Sequence, residues 1–202
     1  MDFADLVARR RMTRGYSSEP VPREVLERIA ARVQRGTPSA GYSQGVRLVV
    51  VQDEARRRRI AELADQPYYL AHGYLPWMTQ APVHVVVLVR EQDYHDRYTE
   101  PGKLEDDGSE MDWPAPYWWI DAGQALMLVQ LAAIDEGLGC GVFTLYPKPN
   151  NDVLIAELGL PADWAMVGVV ALGHAAPEPK EEHRAADLRR RRRDSSELVR
   201  WL

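Results

Sequence analysis

The sequence predicts one domain of mixed α/β or α+β class, a sheet flanked by helices with one long helix at its centre. Three observations carry this. Four short runs rich in β-branched residues, 46–51, 83–89, 140–145 and 166–172, alternate with stretches of helical period. The stretch 117–138 is apolar around most of its circumference and rich in small residues (Ala122, Gly123, Ala125, Ala132, Ala133). As a helix it needs cover on more than one side. Finally, 46% of the 202 residues are hydrophobic, enough for a single core without disulfide or metal.

The elements follow in order. Asp2 caps a short helix through Leu6 and Val7 that runs into Arg9, Arg10 and Arg11. Pro22 stands at the first position of a second helix, whose Val25, Leu26, Ile29 and Val33 recur at helical spacing until Gly36 stops it. Residues 37–45 form a loop by composition, and 46–51 a buried strand. Asp53 caps a helix with Ile60 and Leu63 inward and the arginines 56–59 solvated. Pro67 opens an aromatic helix around Tyr68, Tyr69 and Tyr74, and Pro82 marks the entrance of strand 83–89. Segment 91–116 is acidic, carries several Gly and Pro, and shows no sustained period, so it reads as a long functional loop. After the helix 117–138, Gly137-Leu138-Gly139 leads into strand 140–145. A small helix over 152–158 ends at Gly159 and Pro161, strand 166–172 follows, and a polar tail from His174 carries five consecutive arginines, 189–193.

Composition narrows the function. With 25 Lys and Arg against 30 Asp and Glu the formal charge is −5, which disfavours nucleic acid as a partner. The single Cys140 excludes an internal disulfide framework and a Cys-rich zinc site, and fits a reducing compartment. The opening MDFADLVARRR lacks the apolar stretch of a secretory signal, and no run approaches 18 uncharged apolar residues. The expectation is a cytoplasmic protein with no membrane partner. His72, His84, His95, His174 and His183 show no ligand spacing, so no metal site is expected.

Two short motifs fail on context. Gly41-Tyr42-Ser43-Gln44-Gly45 matches the G-x-S-x-G of serine hydrolases, with Asp163 and His174 as candidate triad partners. That motif needs a strand before it and a helix after, and here the order is reversed. Gly137, Gly139 and Gly141 are spaced G-x-G-x-G after a helix, unlike the dinucleotide fingerprint, and read as a helix stop with a tight strand entry. A stronger signal is the pair of basic clusters, Arg10, Arg11 and Arg14 near one end and 189–193 near the other. Each alone is a solvated face; together, in an acidic protein, they make one anion sink suited to a phosphate-bearing cofactor.

The order of segments resembles the nitroreductase-like family of FMN-dependent oxidoreductases over almost the whole chain. Arg10-Arg11-Met12-Thr13-Arg14-Gly15-Tyr16, then Glu19-Pro20-Val21-Pro22, resembles the family's R-R-S-x-R-x-F…P-V-P opening. Pro38-Ser39-Ala40-Gly41-Tyr42-Ser43-Gln44 resembles its P-S-A-G-N-x-Q loop, and the helix ending Glu136-Gly137-Leu138-Gly139 its central helix. Leu158-Gly159-Leu160-Pro161, Val170-Ala171-Leu172-Gly173 and the basic arm before Glu197-Leu198-Val199-Arg200-Trp201 complete the series.

The resemblance implies an α+β fold with a mixed β-sheet flanked by helices, a long central helix, a lid insertion at 91–116 and an extended C-terminal arm, 174–202. It implies a domain-exchanged homodimer with two sites at the subunit interface. Arg10, Arg11 and Arg14 match positions that hold FMN, Arg14 on the pyrimidine side, and one of Arg191, Arg192 and Arg193, foremost Arg192, closes over the phosphate. Pro38, Ser39, Ala40, Tyr42 and Gln44 match a flavin loop given by the neighbouring subunit, and Val142 and Phe143 lead to Thr144, which falls where related enzymes place a hydrogen-bond donor to flavin N5. The iodotyrosine deiodinase branch has a threonine there and the dimethylbenzimidazole synthase branch a serine. Three positions depart from the pattern: Met12 for serine or histidine, Tyr42 for asparagine, and Gly45-Val46 for Pro-Trp. Met12 also stands where the flavin-cleaving branch needs aspartate.

The implied activity is transfer of electrons from NAD(P)H through FMN to a planar or conjugated small molecule (nitro, quinone or enone) by ping-pong turnover. The lid aromatics Tyr94, Tyr98, Trp113, Tyr117 and Trp118 would cover the flavin. The alternatives are a divergent member binding flavin or deazaflavin without turnover, and a hydrolase using Ser43.

Overall fold

The computed structural model describes residues 1–176 and 193–202. The basic arm at Arg191 and Arg192 lies outside the described residues. Helix α1 (Phe3–Arg9) is capped by Asp2, whose carboxylate accepts from Ala4 N at 2.9 Å. Helix α2 (Arg23–Gly36) begins after Pro22, which is its N-cap, one place earlier than predicted. Strand β1 (Val46–Val51) is followed by α3 (Glu54–Leu63), α4 (Gln66–Ala71) and α5 (Trp77–Gln80). Then come β2 (Val83–Arg90), α6 (Gln92–Tyr98), the central α7 (Tyr117–Asp135), β3 (Gly139–Phe143), α8 (Asn150–Glu157), β4 (Trp164–Gly173) and the short α9 (Ser195–Leu198).

The strands form one sheet in the order β1-β2-β4-β3. The α+β class is as predicted. The mixed sheet is not, because every strand pair among the described residues is antiparallel. The register gives the reason: Val51 faces His84, so the chain leaves β1 and re-enters β2 at the same end of the sheet. The three helices between them never cross the sheet.

In β2, Val83, Val85 and Val87 face α2 and α7, while Val86 and Leu88 face a layer holding Ile60, Trp77, Met78 and Leu154. Both faces are covered, which is why residues 85–89 read as an unbroken apolar run. Strand β1, predicted to be buried, is a half-exposed edge with only Val51 buried. Of the arginines 56–59, expected in solvent, Arg57 turns inward and donates to the carbonyls of Thr79 and Ala81.

Segment 91–116 is also not a uniform loop. Its first part is α6, a helix of sequence QDYHDRY that buries Tyr94 completely. No apolar period announces it, because one side chain supplies most of its buried surface. Helix α7 buries Ala122, Ala125, Val129 and Ala133 against the sheet, and leaves Ile120, Gly123 and Met127 as an exposed stripe at helical spacing. No helix among the described residues is long and apolar enough to cross a membrane.

Candidate functional site

After α1 the chain lies along the outer edge of β3. Thr13 N donates to the Cys140 carbonyl at 2.8 Å, and Val142 N donates to Met12 Sδ at 3.3 Å. This approach is possible because two glycines face the segment. A Cβ on Gly139 would lie 2.8 Å from the Thr13 side chain, and one on Gly141 2.7 Å from the Thr13 carbonyl and 2.8 Å from the Trp77 ring. Gly137, at φ +82°, ends α7. The G-x-G-x-G spacing is therefore a helix stop followed by a bed for the arginine segment.

Beyond it, the start of the C-terminal arm joins the same segment: Ser17 N donates to the His174 carbonyl at 2.9 Å and Ala176 N to the Gly15 carbonyl at 3.0 Å. Residues distant in sequence thus meet beside β3. An open concavity of about 490 Å³ lies here, lined by Arg9, Arg11, Thr13, Gly139, Cys140 and Ala175 among others. Arg10 and Arg14 are half-buried and Arg11 is exposed. Among the described residues neither the Arg10 nor the Arg11 side chain has a hydrogen-bond or ion-pair partner, whereas Arg28 and Arg90 are held by carboxylates. Arg193 is exposed, with no described contact to this segment. Cys140 is buried, and burial pushes its thiol up to about 11, an inert group at neutral pH.

Thr144 directly follows β3 and is exposed. The predicted strand 140–145 would have made it an ordinary strand residue; the strand in fact ends at Phe143. The Phe143 ring turns into the core, edge-on to Trp77 at 5.5 Å and to His84 at 5.3 Å. Any ligand contact at Phe143 falls to its main chain, and the Val142 amide is already bound to Met12.

The second group of predicted residues sits elsewhere. Pro38, Ser39, Ala40, Tyr42 and Gln44 surround a 3-10 turn (Ala40–Tyr42) packed on α6 and the start of α7. Ser39 Oγ accepts from Gln44 N at 2.6 Å, and Ala40 N donates to Asp121 Oδ2 at 2.9 Å. Tyr42 is 73% exposed. Along α7, Asp121 at the loop end and Ile134 at the arginine end are separated by roughly 20 Å, at 1.5 Å per residue. One chain therefore does not bring the two groups together.

The aromatics of 91–116 form one cluster around Trp113, whose ring lies 4.6 Å from Tyr98, 5.7 Å from Trp118 and 5.9 Å from Tyr117. Glu110 accepts from Trp113 Nε1 at 2.6 Å and pairs with His95 Nδ1 at 2.7 Å. Burial opposes charge on His95, but the bonds to Glu110 and Glu91 outweigh it and raise the imidazole above its ordinary value. Tyr94, expected to cover a ligand, is fully buried and belongs to the core.

The hydrolase constellation does not assemble. Ser43 Oγ is spent on the Ala40 carbonyl at 2.6 Å, Asp163 on Arg90, and His174 faces Glu19 at 3.6 Å. Asp121 has no role in the sequence-based expectations. A lone carboxylate early in an otherwise apolar helix was the available signal.

Comparison with known proteins supplies the frame for this geometry. The model of the nitroreductase family matches residues 7–174. The chain is 32% identical over 183 residues to an FMN reductase [NAD(P)H] of Bacillus subtilis, covering 86% of this chain and 66% of that one. It is 30% identical over 195 residues to a 5,6-dimethylbenzimidazole synthase of Rhodospirillum rubrum, covering 90% and 83%. A nitroreductase-like protein of Streptococcus mutans shares its fold, with a TM-score of 0.73 over 100% of this chain and 98% of that one at 14% identity. A match that spans the arginine segment, the 38–44 loop, the central helix and the last strand leaves one assignment: this chain belongs to the nitroreductase family.

Proposed function

We propose that this chain is an FMN-dependent NAD(P)H oxidoreductase that works as a homodimer on planar or conjugated small molecules. The observation that carries the reading is the arginine segment pinned to β3, with Arg11 lining an open concavity and the side chains of Arg10 and Arg11 uncommitted among the described residues. A phosphate dianion needs fixed cations that remain charged, and the side chains of Arg10 and Arg11, without partners among the described residues, fit that need. Arg10, Arg11 and Arg14 would hold FMN, with the basic arm (Arg191, Arg192, Arg193) closing over it. Bound FMN supplies the hydride chemistry that no side chain here can perform.

The protein's own residues do the rest. Arg14 offers a cation to the pyrimidine side, where reduction places negative charge. Thr144 is exposed at the end of β3, with its hydroxyl available to donate to flavin N5. Met12 gives its thioether to the Val142 amide, so it trades an anion contact for a tighter hold on β3. The side chain that occupies this place is not an aspartate, which favours electron transfer over flavin cleavage.

The division of the site supports a homodimer. Pro38, Ser39, Ala40, Tyr42 and Gln44 lie at the far end of α7 from the arginine segment, and a two-fold partner would bring its own copy of this loop to the flavin. The exposed stripe Ile120, Gly123 and Met127 suits the contact, since a Cβ at Gly123 would meet open space. NAD(P)H and the acceptor, whether nitro, quinone or enone, then use one cavity in turn, a ping-pong scheme. We place the protein in the cytoplasm, where a lone thiol such as Cys140 stays reduced.

The test is the visible spectrum of the purified protein, mass identification of the released chromophore, and NADH or NADPH oxidation with quinone and nitroaromatic acceptors. A yellow protein releasing FMN and reduced by a nicotinamide is expected. A colourless protein that fails to quench added FMN would overturn the reading.

A further inference from the structure

Asp121 is 4% exposed, and its Oδ2 accepts two hydrogen bonds, from Tyr94 Oη at 2.9 Å and from Ala40 N at 2.9 Å. Tyr94 is fully buried. One carboxylate oxygen thus ties α6 and α7 to the backbone of the 39–45 loop. Three further contacts act on the same loop. Arg97 Nε donates to the Gly41 carbonyl at 2.7 Å. A Cβ on Gly41 would lie 2.5 Å from the Tyr98 ring, and one on Gly45 2.5 Å from the Tyr94 ring.

The loop needs holding. Gly41, Tyr42 and Gln44 have φ values of 59°, 65° and 55°. Only three residues other than glycine have positive φ among the described residues, and two of them are here. L-residues adopt this region only where surroundings enforce it, and such positions concentrate at functional sites. The exposed Tyr42 ring and the exposed Gln44 are the side chains that this strained course presents.

We infer that Asp121 and Tyr94 are positioning residues for FMN, a buried carboxylate–phenol pair that keeps the 39–44 loop in its left-handed course for the flavin of the partner subunit. The inference rests on the FMN reading above and adds to it two residues that touch no ligand. It also removes α6 from the lid: this helix is the bracket of the flavin loop, and only 99–116 is left to cover a substrate.

The test compares full-length wild type with Tyr94→Phe, Asp121→Ala and Asp121→Asn. FMN affinity is read by fluorescence quenching, flavin geometry by visible circular dichroism at saturation, and the loop by amide exchange at Ala40 and Gln44 in flavin-free protein. Tyr94→Phe and Asp121→Ala should weaken FMN binding about tenfold, alter the visible dichroism and accelerate exchange about tenfold. Asp121→Asn keeps an acceptor oxygen and should stay within about threefold of wild type. A merely structural role would lower the melting temperature and leave the dichroism of the saturated protein unchanged. Wild-type affinity and dichroism in both Tyr94→Phe and Asp121→Ala would overturn the inference while leaving the FMN reading intact. If Asp121→Ala does not fold, Tyr94→Phe decides. If wild type itself takes up no FMN, the functional reading falls and the flavin role of the pair falls with it. Exchange then still shows whether the pair holds the loop.

Discussion

Thr13 and Met12 are bonded to Cys140 and Val142, so the guanidinium groups beside them stand on a fixed backbone. Binding and chemistry separate at this scale. Replacing Arg11 with alanine should weaken FMN retention by about tenfold, since one charge-assisted contact is lost at an exposed position; fluorescence titration reads it, and an unchanged affinity would remove Arg11 from the site. Thr144→Ala should move the flavin midpoint potential while stability stays within about 0.5 kcal/mol of wild type, as expected for an exposed side chain. Identical redox titrations for the two proteins would take Thr144 out of the mechanism. The sequence offers both residues as candidates through the family resemblance. It does not offer Asp121 and Tyr94 as a pair, because their meaning lies in a hydrogen bond between α6 and α7, 27 residues apart in the chain.

At the level of elements, β3 and its covering segment form one unit. Gly141→Ala should cost about 1–3 kcal/mol through overpacking against Thr13 and Trp77, and should loosen flavin binding as the arginine segment is pushed away; a thermal melt with a flavin titration checks both. Strand β2 carries a second consequence. His84 is fully buried, its Nε2 paired with the Met78 carbonyl at 2.7 Å and its Nδ1 without a partner among the described residues. Burial lowers its folded-state pKa to about 4 from an ordinary 6.5. Between these values the unfolded chain binds the extra proton, so stability is full above about pH 6.5 and falls as pH drops toward 4. The loss reaches about 3 kcal/mol. Denaturant titrations from pH 7 to 4 should show this decline in wild type, and His84→Gln should flatten that part of it. A wild-type slope in His84→Gln would assign the decline to other groups. The strands and α7 were legible because burial on defined faces writes a period into the sequence. Helix α6 was not, since its polar residues are organised around one buried ring.

For the whole molecule the decisive feature is the length of α7. It holds the arginine segment at one end and the 38–44 loop at the other, so the site proposed above takes its two halves from two copies. Met127→Glu, on the exposed stripe of α7, should convert the proposed dimer to monomer by light scattering at micromolar concentration. FMN should dissociate along with it, as the loop of the partner is withdrawn. A dimer that persists with its flavin would place the interface on another face.

Some properties are local enough for a linear chain to display. The strand runs, the caps at Asp2 and Asp53, the apolar character of α7 and the arginine and loop motifs all follow from side-chain pattern and short-range sterics, and they led to the right family. Other properties depend on which surfaces meet. The all-antiparallel pairing, the inward turn of Arg57, the α6 bracket and the bed that Gly139 and Gly141 make for Thr13 arise from contacts between segments far apart in the chain. Their free energy comes from close approach and shared hydrogen bonds, which leave no periodic trace in the order of residues.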